Sequence, residues 1–345
     1  MSMNSNETAL VQIDSARVCV LFPGALGDFV CFLPTLRRIA DSRAVDLLAR
    51  SEFTGIAPRR VTVHSLERSE VRRLFIDDGA ADQRCEQFFS GYGSIYSWFA
   101  SQQAVFVDQL QKVSRGRARI FAFRTRRFTV HQADYYLSCL NSEAPDSSLP
   151  VIELRAEALR WCDSFCRRPE IGSKPLLIIA PGSGAGGKNW PEANFLQVAY
   201  WWREQLGGQV VVVIGPVEAE RHAFEQLSSS CIVASDLDLA QLAALLARCS
   251  VYVGNDSGVS HLAAAVGART MAIFGPSDER QWAPRGPCVS ILRHWMVCSP
   301  CDDTALERCQ HRACLTELCS STVIGEMRKL LEIDNLTRVE VGITV

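Results

Sequence analysis

The segment Val251-Tyr-Val-Gly-Asn-Asp-Ser-Gly-Val-Ser-His-Leu-Ala-Ala-Ala-Val-Gly267 changes its hydrophobic pattern midway. Val251 to Val253 is a continuous apolar run, as in a buried strand. The run breaks at Gly254 to Gly258 and resumes as a helix whose apolar face carries Leu262, Ala263 and Val266. Asp256 and Ser257 stand where such a helix would be capped. The N–H groups of its first turn then point into the crevice at the strand's carboxyl end. Open parallel sheets bind ligands in that crevice, and a phosphate is its natural guest. A capped junction that holds nothing fits this stretch equally well, so the rest of the chain must decide.

At 345 residues the chain exceeds one typical core, which implies two domains. An apolar content of 48% with 21% charged residues is that of a globular protein. The net charge of −2 argues against nucleic acid as a partner. Residues 1–15 are polar and lack a basic start, so a secretory signal is not expected. No apolar run approaches the ~20 residues needed to span a bilayer. The 14 cysteines are scattered, and Cys19, Cys31 and Cys249 sit in apolar segments. That usage suits a reducing cytosol better than a disulfide framework.

Outward from the opening segment, short apolar strands alternate with helices. The second half reads as strand Pro175–Ala180, helix Phe195–Gln205, strand Val210–Ile214, helix Glu218–Ser228, strand Ile232–Ala234, helix Leu239–Arg248 and strand Thr270–Phe274. A helix over Ala156–Cys166 precedes it, and another over Val323–Leu331 follows. The first half reads as strand Arg17–Phe22, a glycine turn over Pro23–Asp28, and helix Phe29–Ala40. Pro34 predicts a kink in that helix or a later start. Strands Val45–Ala49, Arg60–His64 and Ile95–Phe99 and a helix Ala104–Lys112 complete it. The alternation implies parallel sheets covered on both faces. Asn141 to Leu149, polar and turn-rich, marks the linker. Residues 112–128 carry Lys112, Arg115, Arg117, Arg119, Arg124, Arg126 and Arg127 without an acid. They form either a solvated face or a contact for an anionic acceptor or membrane surface.

Four strand ends in the second half carry glycine with polar or charged residues. Pro181-Gly-Ser-Gly-Ala-Gly-Gly-Lys188 supplies four glycines and a lysine. It nearly matches a P-loop, but Asn189 replaces the Mg²⁺-binding hydroxyl and Pro191 opens the next helix too late. A flexible loop with a cation, suited to a diphosphate, remains. Gly215-Pro-Val-Glu218 offers a carboxylate for ribose hydroxyls or for the helix dipole, and Gly275-Pro-Ser-Asp278 is the fourth turn. Asp28 occupies the matching rim of the first half, as a helix cap or as a general base. Cys298-Ser-Pro-Cys301, followed by Cys309, Cys314 and Cys319, has zinc-type spacing in its first pair only, so reduced structural thiols are expected.

Taken in order, these motifs resemble glycosyltransferase family 9, the ADP-heptose:lipopolysaccharide heptosyltransferase group. The resemblance rests on Gly24-Ala-Leu-Gly-Asp28, the Pro181–Pro191 loop with Lys188-Asn-Trp-Pro, Gly215-Pro-Val-Glu218, Gly254 to Gly267, Phe274-Gly-Pro-Ser and Cys-Ser-Pro-Cys. It spans residues 17 to about 330; residues 50–150 match in pattern only, and the 182–187 loop is richer in glycine than the family's. The resemblance implies an α/β GT-B fold, two Rossmann-like domains with parallel sheets facing across a cleft. Residues 1–155 would bind acceptor and 156–345 the nucleotide sugar, with the C-terminal helix packing either on its own domain or back on the first. It implies inverting transfer of a sugar, heptose by analogy, from an ADP-sugar to a lipopolysaccharide inner-core or similar glycan. Asp28 takes the role of general base. Lys188 takes the diphosphate, Glu218 the ribose and Asp256 the sugar; Ser257, Gly258 and His261 form the phosphate cradle. Gly27 and Ser183 are further donor contacts. No metal and no cofactor beyond the ADP-sugar co-substrate are implied. The acceptor would be an anionic glycolipid at the inner membrane surface, met by a cytoplasmic, peripheral enzyme. Alternatives are another donor or a protein acceptor, a silent nucleotide-sugar-binding paralogue, or a dehydrogenase using Gly182, Gly184 and Gly187.

Overall fold

The structure is a computed structural model that describes residues 14–77, 83–125, 129–140 and 149–340. The described residues divide into two compact units, one of residues up to 24 with 35–125, the other of 25–34 with those from 126 on. Each is built on an all-parallel sheet.

The first sheet holds β1 (Asp14–Leu21), β2 (Ala44–Ala49), β3 (Val61–Ser65), β4 (Tyr92–Ser97) and β5 (Ala118–Ile120) in the order β3-β2-β1-β4-β5. The order reverses between β1 and β4. Cys19, Leu21, Leu48 and Ile95 pack with Phe89, Phe106 and Leu110 from the covering helices. Short helices at Ser69–Arg73 and Gln83–Ser90 fill a region whose sequence pattern is weak.

The basic run is partly consumed within this unit. Arg117 donates to the carbonyls of Tyr92 and Ser90 at 3.0 and 2.8 Å. Arg119 lies over the rings of Tyr96 and Phe121, and Arg115 is 3.7 Å from Glu86. Arg126 and Arg127 lie outside the described residues, as does 141–148 of the expected linker.

The second sheet holds β6 (Leu176–Ala180), β7 (Gln209–Val213), β8 (Ile232–Ala234), β9 (Val251–Asn255), β10 (Thr270–Phe274) and β11 (Val289–Arg293) in the order β11-β10-β9-β6-β7-β8. From β6 the chain winds one way through β7 and β8, and from β9 the other way through β10 and β11. The switch point is therefore the β6–β9 pair, where Ile179 is in register with Val253 and Ala180 with Gly254. Both strands are buried throughout, which explains their unbroken apolar reading. Trp190, Phe195, Trp202 and Leu227 pack beneath them, and Val323 and Met327 of the Ser320–Glu340 helix complete this same core.

Two expectations fail on local geometry. The first helix runs Leu26–Ala40, beginning eight residues before Pro34 and passing through it, so Asp28 lies inside its first turn. Glu218–Ser228 is not one helix but two, Pro216–Glu220 and Glu225–Ser230. His222 and Phe224 between them take φ of +49° and +63°, which a right-handed helix cannot contain.

Candidate active site

Strand β9 ends at Asn255, whose buried side chain works in both directions. Its Nδ2 donates to the Pro181 carbonyl at 2.6 Å, and its Oδ1 accepts from the Trp190 N–H at 2.9 Å. One amide thus ties both ends of the glycine-rich loop to the switch point. Trp190 is held further by its indole N–H on the Leu318 carbonyl at 2.8 Å. A glycine-rich loop loses much conformational entropy on ordering, and fixing its ends limits the span left to order.

The loop delivers Lys188 to Asp256. The Lys188 ammonium is 2.8 Å from the Asp256 carboxylate, and Asp256 is itself set by its N–H on the Ile273 carbonyl at 2.9 Å. Ser257 follows as the N-cap of the Gly258–Ala265 helix, but its side chain makes no capping bond. The expected side-chain cap is therefore absent, and the first-turn N–H groups are left uncapped by it. Ser260 bonds instead to the Asn255 carbonyl at 2.5 Å and to the Tyr252 hydroxyl at 3.0 Å, which rivets the helix start to the strand.

Glu218 comes in from the end of β7. A Cβ placed on Gly182 would lie 2.1 Å from its Oε1, and one on Gly215 would lie 2.7 Å from its Oε2. The carboxylate therefore rests against two glycine backbones, and a side chain at either position would displace it. The Ser183 hydroxyl is engaged within the loop itself. Its Oγ is 2.6 Å from the Ala185 carbonyl and 2.7 Å from Asn189 Oδ1, so it serves the loop's own conformation.

The start of the Leu26–Ala40 helix belongs to this same unit. A Cβ on Gly258 would lie 2.7 Å from Leu26 Cβ and 2.9 Å from the Gly27 nitrogen. Gly27 in turn packs on the imidazole edge of His261. Two helix N-termini thus abut through two glycines, and Asp28 sits one residue beyond the contact. Asp28 is buried and accepts the Ala25 N–H at 3.2 Å, the reach of a first-turn carboxylate back to its cap. His261 Nδ1 lies 3.6 Å from the Cys31 thiol. Burial lowers the His261 pKa to about 4, so the ring is neutral at pH 7, and burial pushes the Cys31 thiol far up.

The fourth turn, Gly275–Asp278, is occupied by the protein itself. Ser299 Oγ bonds the Gly275 carbonyl at 2.7 Å, the Cys301 N–H bonds the Pro276 carbonyl at 2.8 Å, and Leu315 covers Gly275. Asp278 caps the Glu279–Trp282 helix. This turn is thus packed by the later 299–315 segment of the chain. Burial raises the Cys314 thiol pKa, and nearby Cys301, Cys309 and Cys298 add to the shift. Among the described residues no three metal-binding side chains are gathered as a cation site.

Sequence reasoning passes over two residues that shape the loop. Asn255 is visible as the lone polar side chain at the end of an apolar strand. Arg312, which donates to the Gly186 carbonyl at 3.1 Å across 126 positions, leaves no local signal.

The model of glycosyltransferase family 9 (heptosyltransferase) matches residues 103–332. Lipopolysaccharide heptosyltransferase 2 of Salmonella typhimurium is 32% identical over 274 residues, 75% of this chain and 76% of that protein. Lipooligosaccharide heptosyltransferase 2 of Haemophilus influenzae is 30% identical over a stretch that spans only 36% of this chain and 38% of its own length. Among solved structures, E. coli ADP-heptose lipopolysaccharide heptosyltransferase II superposes with a TM-score of 0.65 at 17% identity, covering 92% of this chain and 99% of that one. Two parallel α/β units, a loop lysine paired at the second sheet's switch point and these matches converge, and the chain belongs to glycosyltransferase family 9, the heptosyltransferase family.

Proposed function

We propose that the chain transfers a heptose from ADP-heptose to a hydroxyl of the lipopolysaccharide inner core, with inversion at the anomeric carbon. The observation that carries this reading is the Lys188–Asp256 pair at the β6–β9 switch point, with the Glu218 carboxylate against the two neighbouring glycine turns. A ribose, a diphosphate and a sugar need, in that order, an acceptor of hydrogen bonds, a cation and a second carboxylate. Glu218, Lys188 and Asp256 supply them. The similar lipopolysaccharide heptosyltransferases support the same reading.

In the reaction the acceptor hydroxyl gives its proton to Asp28 as its oxygen forms a bond to the anomeric carbon. The bond from that carbon to the diphosphate oxygen breaks on the opposite face, and ADP leaves with the electron pair. Charge gathering on the diphosphate is met by Lys188 and by the N–H groups that open the Gly258–Ala265 helix. Neutral His261 supports the same turn without adding charge. This reading draws on no metal. The acceptor is an anionic glycolipid, which the enzyme meets from the cytoplasmic side as a peripheral protein. Among the described residues no helix is long and apolar enough to cross a membrane.

Calorimetric titration with ADP and with UDP tests the donor. ADP binding that weakens about tenfold in Lys188→Ala, a loss of ~1.4 kcal/mol, is expected. A preference for UDP would discard ADP-heptose as donor, and binding of neither nucleotide would leave a silent paralogue.

A further inference from the structure

We infer that Arg312 is a positioning residue for the donor loop, acting through Lys188. This rests on the donor reading above. Between its tied ends the loop is held by Ser183 on Ala185 and Asn189, by Glu218 against Gly182 and by the Lys188–Asp256 pair, but its Gly184–Gly186 tip makes no side-chain packing. A Cβ on Gly184 or Gly186 would meet nothing within 4 Å, so the tip has no packing of its own. The turn Gly186–Lys188 is closed from within by the Lys188 N–H on the Ala185 carbonyl at 2.9 Å and the Asn189 N–H on the Gly186 carbonyl at 3.2 Å.

A support comes from far along the chain. Arg312 Nη1 donates to that same Gly186 carbonyl at 3.1 Å, and its Nη2 lies 3.9 Å from where a Gly187 Cβ would be. Leu306 closes over Gly187, its Cδ1 3.1 Å from the same point. The base of Arg312 is firm. Its carbonyl accepts the N–H groups of Leu315 and Thr316 at 2.8 and 3.0 Å, and Leu315 is wholly buried in the second core. Among the described residues Arg312 has no carboxylate partner, so its one directional protein bond is spent on the turn that carries Lys188. The cysteine-bearing segment therefore carries, between Cys309 and Cys314, a side chain that sets where the lysine is presented.

The test is a double-mutant cycle on the full chain, read by ADP titration. Removing one hydrogen bond to a charged donor should weaken ADP about fivefold in Arg312→Ala, and Arg312→Lys, which keeps a donor for the Gly186 carbonyl, should recover most of it. Because Arg312 acts through Lys188, adding Arg312→Ala to Lys188→Ala should cost less than about twofold more. Additive losses would overturn the proposal by making Arg312 independent of Lys188; unchanged ADP binding in Arg312→Ala would overturn it outright. An equal loss of adenosine affinity would reduce Arg312 to general structure. A readout without nucleotide separates this from the donor assignment: acetylation of Lys188 by a small anhydride, followed by peptide mass spectrometry. Faster acetylation in Arg312→Ala than in wild type and Arg312→Lys supports the hold on Lys188 even if ADP fails to bind, whereas equal rates overturn it.

Discussion

Replacing Asp256 by asparagine should move nucleotide binding and turnover in opposite directions. In the free protein the Lys188 ammonium is committed to Asp256 at 2.8 Å, with the two side chains 31% and 9% exposed. A diphosphate that takes the lysine must draw it away from that carboxylate and then sit beside the remaining negative charge. The Asp256→Asn substitution keeps the volume and removes the charge. Two unit charges about 8 Å apart interact by about 2 kcal/mol at an effective dielectric of about 20. A Debye length of about 8 Å at physiological ionic strength reduces this to about 1 kcal/mol. ADP should therefore bind roughly fivefold tighter to Asp256→Asn, and the gain should shrink in high salt. Sugar transfer should fall instead, by about tenfold or more, because a neutral amide loses the charge-assisted bonds a carboxylate makes to sugar hydroxyls. Calorimetry with ADP at low and high salt, beside turnover with the ADP-sugar, reads both signs. ADP binding that weakens in Asp256→Asn, or turnover that stays at the wild-type rate, refutes the reasoning.

Three further outcomes follow from the same geometry. Asp28→Asn should lower turnover by about a hundredfold or more through loss of the base, while ADP affinity stays unchanged; a parallel loss of ADP binding would make Asp28 a donor contact. Gly258→Ala drives a Cβ to 2.7 Å from Leu26 Cβ and 2.9 Å from the Gly27 nitrogen, so the two helix starts must part. It should destabilise by roughly 1–3 kcal/mol in urea unfolding, whereas Gly184→Ala, which meets nothing within 4 Å, should shift by less than about 0.5. Burial holds His131 and His261 neutral, their pKa values lowered from 6.5 to about 4. The unfolded chain takes up those protons first, so the stabilisation is whole above pH 6.5 and is lost as pH falls toward 4. His131→Gln or His261→Gln should each flatten that dependence by up to about 1.4 kcal/mol per pH unit, and unchanged slopes would contradict the assignment.

How much the sequence reveals depends on how local the cause is. Strand β9 and the helix after it are legible because an apolar run, a Gly-Asn-Asp-Ser-Gly break and a helical apolar face follow one another within 17 residues. The strands Ile232–Ala234 and Thr270–Phe274 and the helices Ala156–Cys166 and Leu239–Arg248 are recovered to the residue for the same reason. The Leu26–Ala40 helix runs through Pro34 as read, with Phe29, Phe32, Leu33 and Leu36 around it buried, but starts three residues early because Leu26 and Gly27, a glycine turn by composition, are held against Gly258 far along the chain. The Glu218–Ser228 helix misleads because nothing in its composition announces the left-handed residues that split it. At the site, Lys188 and Asp256 can be suspected from their turns, but their pairing joins positions 68 apart. Gly275–Asp278 looks like a fourth ligand turn because the segment that fills it, 299–315, comes later in the chain. Arg312 is hidden for the same reason.

The most direct test of the central claim is release of ADP from ADP-heptose with and without a heptose-deficient lipopolysaccharide core as acceptor. The account predicts ADP release that depends on the acceptor, yields an inverted heptoside and disappears in Asp28→Asn. Tight ADP binding with no acceptor-dependent release would contradict it and leave a nucleotide-binding protein without transferase activity.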